Sequence, residues 1–187
     1  MSASGWLTQG PRTVEFERLI ADYLGVPEAV ATDNCTTSLQ LALEMMGVRA
    51  GDEVPVFAVD PHVEAVDVFG WTVDPDDRAI FLQNLLRFEV TDIVRPISLP
   101  SERACKAWDG EISMLWIDGD HTYEATKIDF KGWSRFVPSG GLVLFHDAND
   151  PEIGPFQVIG EILEAGGYRE LLGINSLRVL QKVAAGA

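Results

Sequence analysis

Short apolar runs alternate along this chain with amphipathic stretches, and this alternation limits the fold more than any other feature. The two clearest runs, residues 112–117 and 142–145, are nearly continuous in apolar side chains. Runs of this length suit strands that are buried on both faces. Helical spacing of apolar residues follows at 123–136 and 156–165. Strands that alternate with helices form a mostly parallel sheet with helices on both faces, so we predict an α/β fold.

The same patterns predict further elements along the chain. We expect helices at 13–24, 37–46, 76–88 and 101–108, and strands at 29–32, 54–59, 93–99 and twice within 168–183. Pro55 and Pro96 lack the N–H that a strand residue donates, so the strand at 54–59 should begin late or lie at an edge, and the one at 93–99 should be weak. No repeat, low-complexity segment or linker interrupts the pattern, which indicates a single domain over residues 1–187.

The formal net charge of −15 narrows the classes of partner. A strongly acidic chain is repelled by nucleic acid and by anionic membrane surfaces, so we expect neither as a partner. No apolar run approaches the roughly 20 residues that span a bilayer, and the N-terminal residues lack the basic and apolar regions of a signal peptide. Cys35 and Cys105 are far apart, which favours reduced thiols. We therefore predict a cytoplasmic protein with a small-molecule substrate. The sequence is also compatible with a homodimer.

Three of the predicted strands end in a carboxylate close to a histidine. The three strand ends read Asp60-Pro61-His62, Asp118-Gly119-Asp120-His121 and His146-Asp147. Open α/β sheets bind ligands beyond the carboxyl ends of their strands. Aspartate and histidine also occur in ordinary polar loops and helix caps, and any single pair fits that explanation. The recurrence at three strand ends favours a functional site.

These residue types indicate specific chemistry. A carboxylate in the position of Asp60 can accept both ribose hydroxyls of a nucleoside cofactor. Three carboxylates and one imidazole form a ligand set that suits a divalent ion such as Mg²⁺ or Mn²⁺. The candidates are Asp118, Asp120, His146 and Asp147. His121 could then accept a proton, because imidazole does so near neutral pH. The alternative is a solvated acidic rim in which His121 caps the next helix, although Thr122 is the better capping residue.

From about residue 55 to the end, the chain resembles the small family 24 of class I methyltransferases that use S-adenosyl-L-methionine (SAM). The residues that carry this resemblance are 57–62, 116–124, Asp129-Phe130, Trp133, 138–142 and 145–147. The resemblance implies a Rossmann-like, seven-stranded sheet, mostly parallel with an antiparallel C-terminal strand. SAM would lie over the first two strands, and the acceptor substrate would lie over the fourth and fifth.

The same resemblance implies roles for individual residues. The expected contacts to SAM are Asp33, Asp60, Pro61, His62 and Asp118. Relatives that methylate sugar hydroxyls hold a metal ion on residues matching Asp118 and Asp147, with a histidine matching His121 as the base. His146 completes the expected metal ligands, although acidic residues are more usual at its position.

Residues 5–54 resemble the start of sugar aminotransferases that use pyridoxal phosphate (PLP). The matching segments are 5–11, 16–17, 23–26, 29–32, 39–43 and 47–54. In that family the loop matching 34–37 wraps the PLP phosphate at a helix N-terminus. Class I methyltransferases normally have a glycine-rich turn here, whereas residues 32–37 contain no glycine. The aminotransferase's Schiff-base lysine and pyridinium-binding acid belong to regions that this chain lacks, so we predict a chimaera of the two families.

Three functions from different classes remain open at this point. The first is metal-assisted transfer of a methyl group from SAM to a hydroxyl of a sugar or secondary metabolite. The second is a non-catalytic or vestigial domain that keeps the methyltransferase sheet without turning over SAM. The third is a fragment that binds phosphate or PLP through residues 34–37.

Overall fold

The structure, a computed structural model, describes Arg18 and residues 54–62, 65–66, 72–73, 77–174 and 176–184. The chain divides into two compact units, residues 1–52 and 53–187. The helices predicted at 13–24 and 37–46 and the strand at 29–32 lie outside the described residues, except that Arg18 is helical. Cys35, Asp33 and the loop at 34–37 lie outside them as well. The single domain over residues 1–187 therefore stays a prediction.

The second unit contains eight strands and four α-helices among its described residues. In chain order they are β1 (Val56–Val59), β2 (Ala65–Val66), β3 (Thr72–Val73), α1 (Asp77–Arg87), β4 (Val94–Ile97), α2 (Ser101–Ala104), β5 (Met114–Ile117), α3 (Tyr123–Trp133), β6 (Leu142–Phe145), α4 (Gly154–Ala165), β7 (Tyr168–Ile174) and β8 (Leu177–Lys182). Within this described part, no helix is long and apolar enough to span a membrane.

The largest sheet has the strand order β5-β6-β8-β7. Strands β5 and β6 are parallel, and β8 runs antiparallel to both β6 and β7. Val143, Leu144 and Phe145 of β6 are fully buried, as expected for a continuous apolar strand in the middle of a sheet. Leu180 of β8 is equally buried beside them. This arrangement of parallel strands with an antiparallel C-terminal hairpin agrees with the predicted α/β fold.

Two smaller pairs of strands complete the described sheets. Strands β1 and β4 are parallel, with Ala58 opposite Pro96. Strand β1 begins at Val56, directly after Pro55, so the predicted late start is found. Strands β2 and β3 form an antiparallel pair of two residues each, which the sequence patterns did not indicate. Such short pairs carry too few side chains to show a period of two.

Two predicted helices are shorter in the structure than in the sequence analysis. The helix expected at 101–108 is a single turn, Ser101–Ala104. The helix expected at 123–136 ends at Trp133 and continues as a 3₁₀ turn over Ser134–Phe136. Helix ends often tighten in this way, and apolar periodicity does not distinguish the two kinds of turn. Cys105 follows the short helix and is a buried free thiol.

Candidate metal centre

Four polar side chains meet at the carboxyl ends of β5 and β6. Asp118 directly follows β5, and His146 and Asp147 directly follow β6. The parallel register continues past the strands, since the His146 N–H donates to the carbonyl of Ile117 at 3.1 Å. His121 joins them from the loop before α3. One potential ligand atom from each of the four side chains lies within 4.8 Å of the others.

Each carboxylate in this group faces both imidazoles. Nδ1 of His146 lies 3.0 Å from Oδ1 of Asp118 and 3.2 Å from Oδ2 of Asp147. Nε2 of His121 lies 3.3 Å from the same Asp147 oxygen and 3.7 Å from the same Asp118 oxygen. The His121 side chain is 11% exposed and the Asp118 side chain 40% exposed. The group is therefore packed on its histidine side and open to solvent on its carboxylate side.

The backbone at Asp147 adopts an unusual conformation that aims its side chain into the group. Its φ of 45° lies in the left-handed region, which residues other than glycine seldom occupy and which aspartate tolerates better than most. The following N–H, of the buried Ala148, donates to the carbonyl of Ser176 at 2.8 Å. Strained backbone of this kind persists where neighbouring structure holds it, and it is frequent at functional sites.

The loop of His121 is held by hydrogen bonds at its neighbours. The Thr122 side chain caps α3 by accepting from the Ala125 N–H at 3.3 Å, so the cap is Thr122 and not His121. The Asp120 carboxylate accepts from the Thr122 N–H at 2.8 Å. Asp120 therefore closes a turn outside the group, and the side chain that lies beside Asp118, His146 and Asp147 is that of His121.

Helix α4 packs directly against this loop through a glycine. The Gly154 N–H donates to the carbonyl of His121 at 2.9 Å. A Cβ at position 154 would lie 2.3 Å from the Thr122 carbonyl carbon and from the Tyr123 nitrogen, so only glycine permits this approach. Farther along, Tyr123 donates to Glu161 at 2.5 Å and Lys127 pairs with Glu161 at 2.9 Å. Both contacts tie α3 to α4 and so fix the loop from two sides.

Three of the residues expected to hold SAM, Asp60, Pro61 and His62, follow β1, whereas Asp118 follows β5 and belongs to the group described above. The Asp60 N–H continues the parallel ladder by donating to the carbonyl of Ile97 at 3.1 Å. The Asp60 side chain is 55% exposed, and its Oδ1 accepts from the His62 N–H at 2.6 Å. The His62 ring is buried near Phe81 of α1, and Pro61 is exposed. The cofactor role of these residues stays a prediction.

Two residues that contact the metal-type group (Asp118, His121, His146 and Asp147) were not found from the sequence. Oγ of Ser176 lies 3.3 Å from Nε2 of His146. The ring of Trp116 stacks on the His146 ring at 6.2 Å, and its N–H donates to Oδ2 of Asp118 at 3.4 Å. Trp116 could have been suspected, because side chains two apart on a strand share a face. Ser176 gave no signal, because its contact depends on the pairing of β6 with β8.

A half-buried carboxylate also lies close to the loop. Asp129 of α3 contacts the side chain of Ser101, whose oxygen accepts from the Trp133 N–H at 2.8 Å. Burial raises the pKa of Asp129, the hydrogen bond with Ser101 opposes that rise, and the nearby charge of Asp120 adds to it. Folding therefore shifts the pKa of this carboxyl group toward the protonated form relative to the unfolded chain.

Two family models match the sequence. The family described as a methyltransferase domain matches residues 36–148, and the DegT/DnrJ/EryC1/StrS aminotransferase family matches residues 1–60. Both resemblances found in the sequence are thereby confirmed. The methyltransferase match begins earlier than the predicted boundary near residue 55, so the two matches overlap over residues 36–60.

Curated relatives match a small part of their own length. The chain is 47% identical to the spore coat polysaccharide biosynthesis protein SpsC of Bacillus subtilis over 51 residues, which are 27% of this chain and 13% of that protein. It is 52% identical to GDP-perosamine synthase of Caulobacter vibrioides over 83 residues, 41% of this chain and 22% of that protein. The chain thus spans less than a quarter of either relative.

Solved methyltransferase structures share the fold at low sequence identity. A putative caffeoyl-CoA O-methyltransferase from Staphylococcus aureus aligns with a TM-score of 0.56 and 16% identity, over 91% of this chain and 92% of that one. The mycinamycin-pathway methyltransferase MycE, solved with Mg and SAH, aligns with a TM-score of 0.53 and 13% identity, over 96% of this chain and 57% of that one. A TDP-rhamnose 3'-O-methyltransferase of calicheamicin biosynthesis aligns with a TM-score of 0.50 and 15% identity, over 97% of this chain and 99% of that one. These likenesses confirm the predicted Rossmann-like class I methyltransferase fold.

The contact of Gly154 with the His121 loop can be tested with a matched pair of substitutions in α4. Gly154→Ala should lower the free energy of unfolding by about 1–3 kcal/mol, because the new methyl group overlaps the backbone at Thr122. Gly160→Ala is the control, since nothing lies within 4 Å of a Cβ there. It should raise stability by up to about 1 kcal/mol through helix propensity. Urea unfolding measures both, and equal stability of the two variants would refute the contact.

The raised pKa of Asp129 predicts a pH-dependent difference in stability. The protonated carboxyl group stabilises the fold at low pH, and this contribution is lost as the pH rises through the folded-state pKa. Asp129→Asn keeps the neutral form at every pH. Its stability relative to the unchanged protein should therefore increase between about pH 3 and about pH 8. Urea unfolding across that range measures the difference, and a constant difference would contradict the assignment.

Proposed function

Because the chain belongs to the methyltransferase domain family, whose model matches more than half of it, we propose that it is a SAM-dependent O-methyltransferase. The methyl group would pass from SAM to a hydroxyl of a sugar or secondary metabolite with the help of a divalent metal ion. The observation that carries this proposal is the convergence of two carboxylates and two imidazoles at the ends of β5 and β6.

The donor set fits a divalent cation. Carboxylate oxygens and imidazole nitrogens are both common ligands of Mn²⁺ and similar ions. Asp118, His146 and Asp147 would hold the ion, and their carboxylate sides are open to an approaching substrate. A bound ion would orient the acceptor hydroxyl and lower its pKa. Two carboxylates that both face this point would also be relieved of their mutual repulsion.

His121 would take the proton from the acceptor. The methyl group of SAM is already activated, so the protein mainly has to align the acceptor oxygen and remove its proton. SAM, when bound, would supply the methyl group and keep the electron pair of its carbon–sulfur bond as a neutral thioether, while His121 would hold the proton lost by the acceptor oxygen. Nε2 of His121 points at the same two carboxylates as His146 does, and its loop is fixed by Gly154. The imidazole is therefore held beside the place where the hydroxyl would bind.

The cofactor would lie at the end of β1. Asp60 is exposed there and can accept from ribose hydroxyls. The other proposed contacts to SAM are Asp33, Pro61, His62 and Asp118. The MycE structure contains Mg and SAH, the demethylated product of SAM, which supports the same cofactor and an ion here by analogy of fold. The sugar acceptor is supported by the TDP-rhamnose methyltransferase that shares the fold.

A second candidate is a non-catalytic domain that has lost SAM turnover. It is favoured by the absence of glycine from residues 32–37, where the methyltransferase resemblance predicts a glycine-rich turn that lets the backbone approach a cofactor. The match of residues 1–60 to an aminotransferase family supports our inference that the chain is a chimaera. It also keeps open binding of PLP or phosphate at residues 34–37. Melting temperatures with SAM and with PLP separate these possibilities, because a ligand that binds the native state raises the melting temperature.

We expect Asp60→Ala to weaken SAM binding by about tenfold or more, for loss of a charge-assisted hydrogen bond of roughly 1.5–3 kcal/mol. Isothermal titration calorimetry with SAM measures the change. Asp150→Ala is the matched control, because Asp150 is an exposed aspartate that likewise accepts from the N–H two residues later. Equal SAM affinity for Asp60→Ala and Asp150→Ala would remove Asp60 from the cofactor site.

We expect His121→Ala to slow methyl transfer by about 10²–10⁴-fold. Binding of SAM and of the divalent ion should change little, because His121 is proposed as a proton acceptor and not as a ligand. Transfer of labelled methyl from SAM to sugar nucleotides measures the rate, and calorimetry measures both affinities. A variant that keeps its rate would show His121 to be structural, and one that loses the ion would show it to be a metal ligand.

A further inference from the structure

Ser176 touches the metal-type group from the turn between β7 and β8. Its Oγ lies 3.3 Å from Nε2 of His146, and its carbonyl accepts from the N–H of Ala148 at 2.8 Å. One residue thus contacts the His146 side chain and holds the backbone directly after Asp147. Arg178, two residues later, is opposite Phe145 in the ladder between β6 and β8, so this placement follows from the register of the sheet.

The two nitrogens of His146 face different partners. Nδ1 faces the carboxylates of Asp118 and Asp147 at 3.0 and 3.2 Å, whereas Nε2 faces the hydroxyl of Ser176. A neutral imidazole carries one N–H and one lone pair, and a serine hydroxyl can either donate or accept. When Nε2 carries the hydrogen and donates to Ser176, the lone pair of Nδ1 is directed at the two carboxylates. A lone pair beside two anionic oxygens is favourable where a cation lies among them.

Trp116 restricts the same imidazole from a third direction. Its indole stacks on the His146 ring, with centroids 6.2 Å apart and planes inclined by 23°. Its N–H donates to Oδ2 of Asp118, which leaves Oδ1 of that carboxylate facing the histidines. The His146 ring is therefore fixed in position by Trp116 and in orientation by Ser176. Groups that accept from the second nitrogen of a ligating histidine set its tautomer and strengthen it as a ligand.

A nitrogen ligand held in this way changes which ion the site prefers. Mg²⁺ selects oxygen ligands and retains several waters, whereas imidazole suits first-row transition ions. We propose that Ser176 is a positioning residue that presents Nδ1 of His146 as a ligand. This inference rests on the metal centre of the proposed function. The site consequently takes a transition ion such as Mn²⁺ in preference to Mg²⁺.

The test is the affinity of the full chain for MnCl₂ and for MgCl₂, measured by calorimetry and by the rise in melting temperature. The unchanged protein should bind Mn²⁺ more tightly than Mg²⁺. Ser176→Ala should weaken Mn²⁺ binding by about 10–100-fold, as expected for loss of a partner of a ligating histidine. Ser176→Thr keeps a hydroxyl and should restore most of that affinity. Ser139→Ala, at an exposed serine of the turn before β6, is the control and should bind Mn²⁺ like the unchanged protein.

A second substitution tests the choice of ion directly. His146→Asp replaces the nitrogen ligand by oxygen and should shift the preference from Mn²⁺ toward Mg²⁺. Tighter binding of Mg²⁺ than of Mn²⁺ by the unchanged protein, or equal Mn²⁺ affinity of Ser176→Ala and Ser139→Ala, would overturn the inference and leave the proposed function standing. Failure of both ions to bind the unchanged protein would overturn the metal part of the proposed function itself, and this inference with it.

Discussion

The parallel pairing of β5 with β6 is the interaction on which the candidate site depends. Ile117 lies opposite Phe145, and the His146 N–H continues the ladder to the carbonyl of Ile117. This register brings Asp118 and His146 side by side, and a slip of one residue would turn every side chain of the slipped strand to the opposite face of the sheet. The register is secured by the burial of β6, whose last three residues have no exposed surface. Packing of an apolar strand thus sets the geometry of a polar site.

A second constraint acts on the loop that carries His121. Thr122 starts α3, Gly154 starts α4, and the two helix starts meet backbone to backbone. The close approach requires a residue without a side chain at position 154, and the resulting hydrogen bond to the His121 carbonyl spans more than thirty residues of sequence. The proposed site takes its metal ligands from two strand ends and its proton acceptor from a helix start, so it needs all three elements in place.

The two family matches describe different parts of one chain and overlap at residues 36–60. Both families use a strand, a turn and a helix at this point, and the turn lies where each binds its cofactor. A segment can be exchanged there without changing the pattern of apolar residues, because the pattern encodes the element and not the ligand. Residues 32–37, where the methyltransferase resemblance predicts a glycine-rich turn, contain no glycine.

The sequence by itself determined the order of the helices and of the strands of four or more residues in the described part, the late start of β1 after Pro55 and the carboxylates at three strand ends. These features are local, because they depend on apolar periodicity, on a missing N–H and on residue type. Only the tertiary structure decided that His121 and not Asp120 joins Asp118, and that Ser176 reaches His146. Those contacts depend on strand register and on one close approach between helices, which join residues distant in the chain and leave no periodic signal in the sequence.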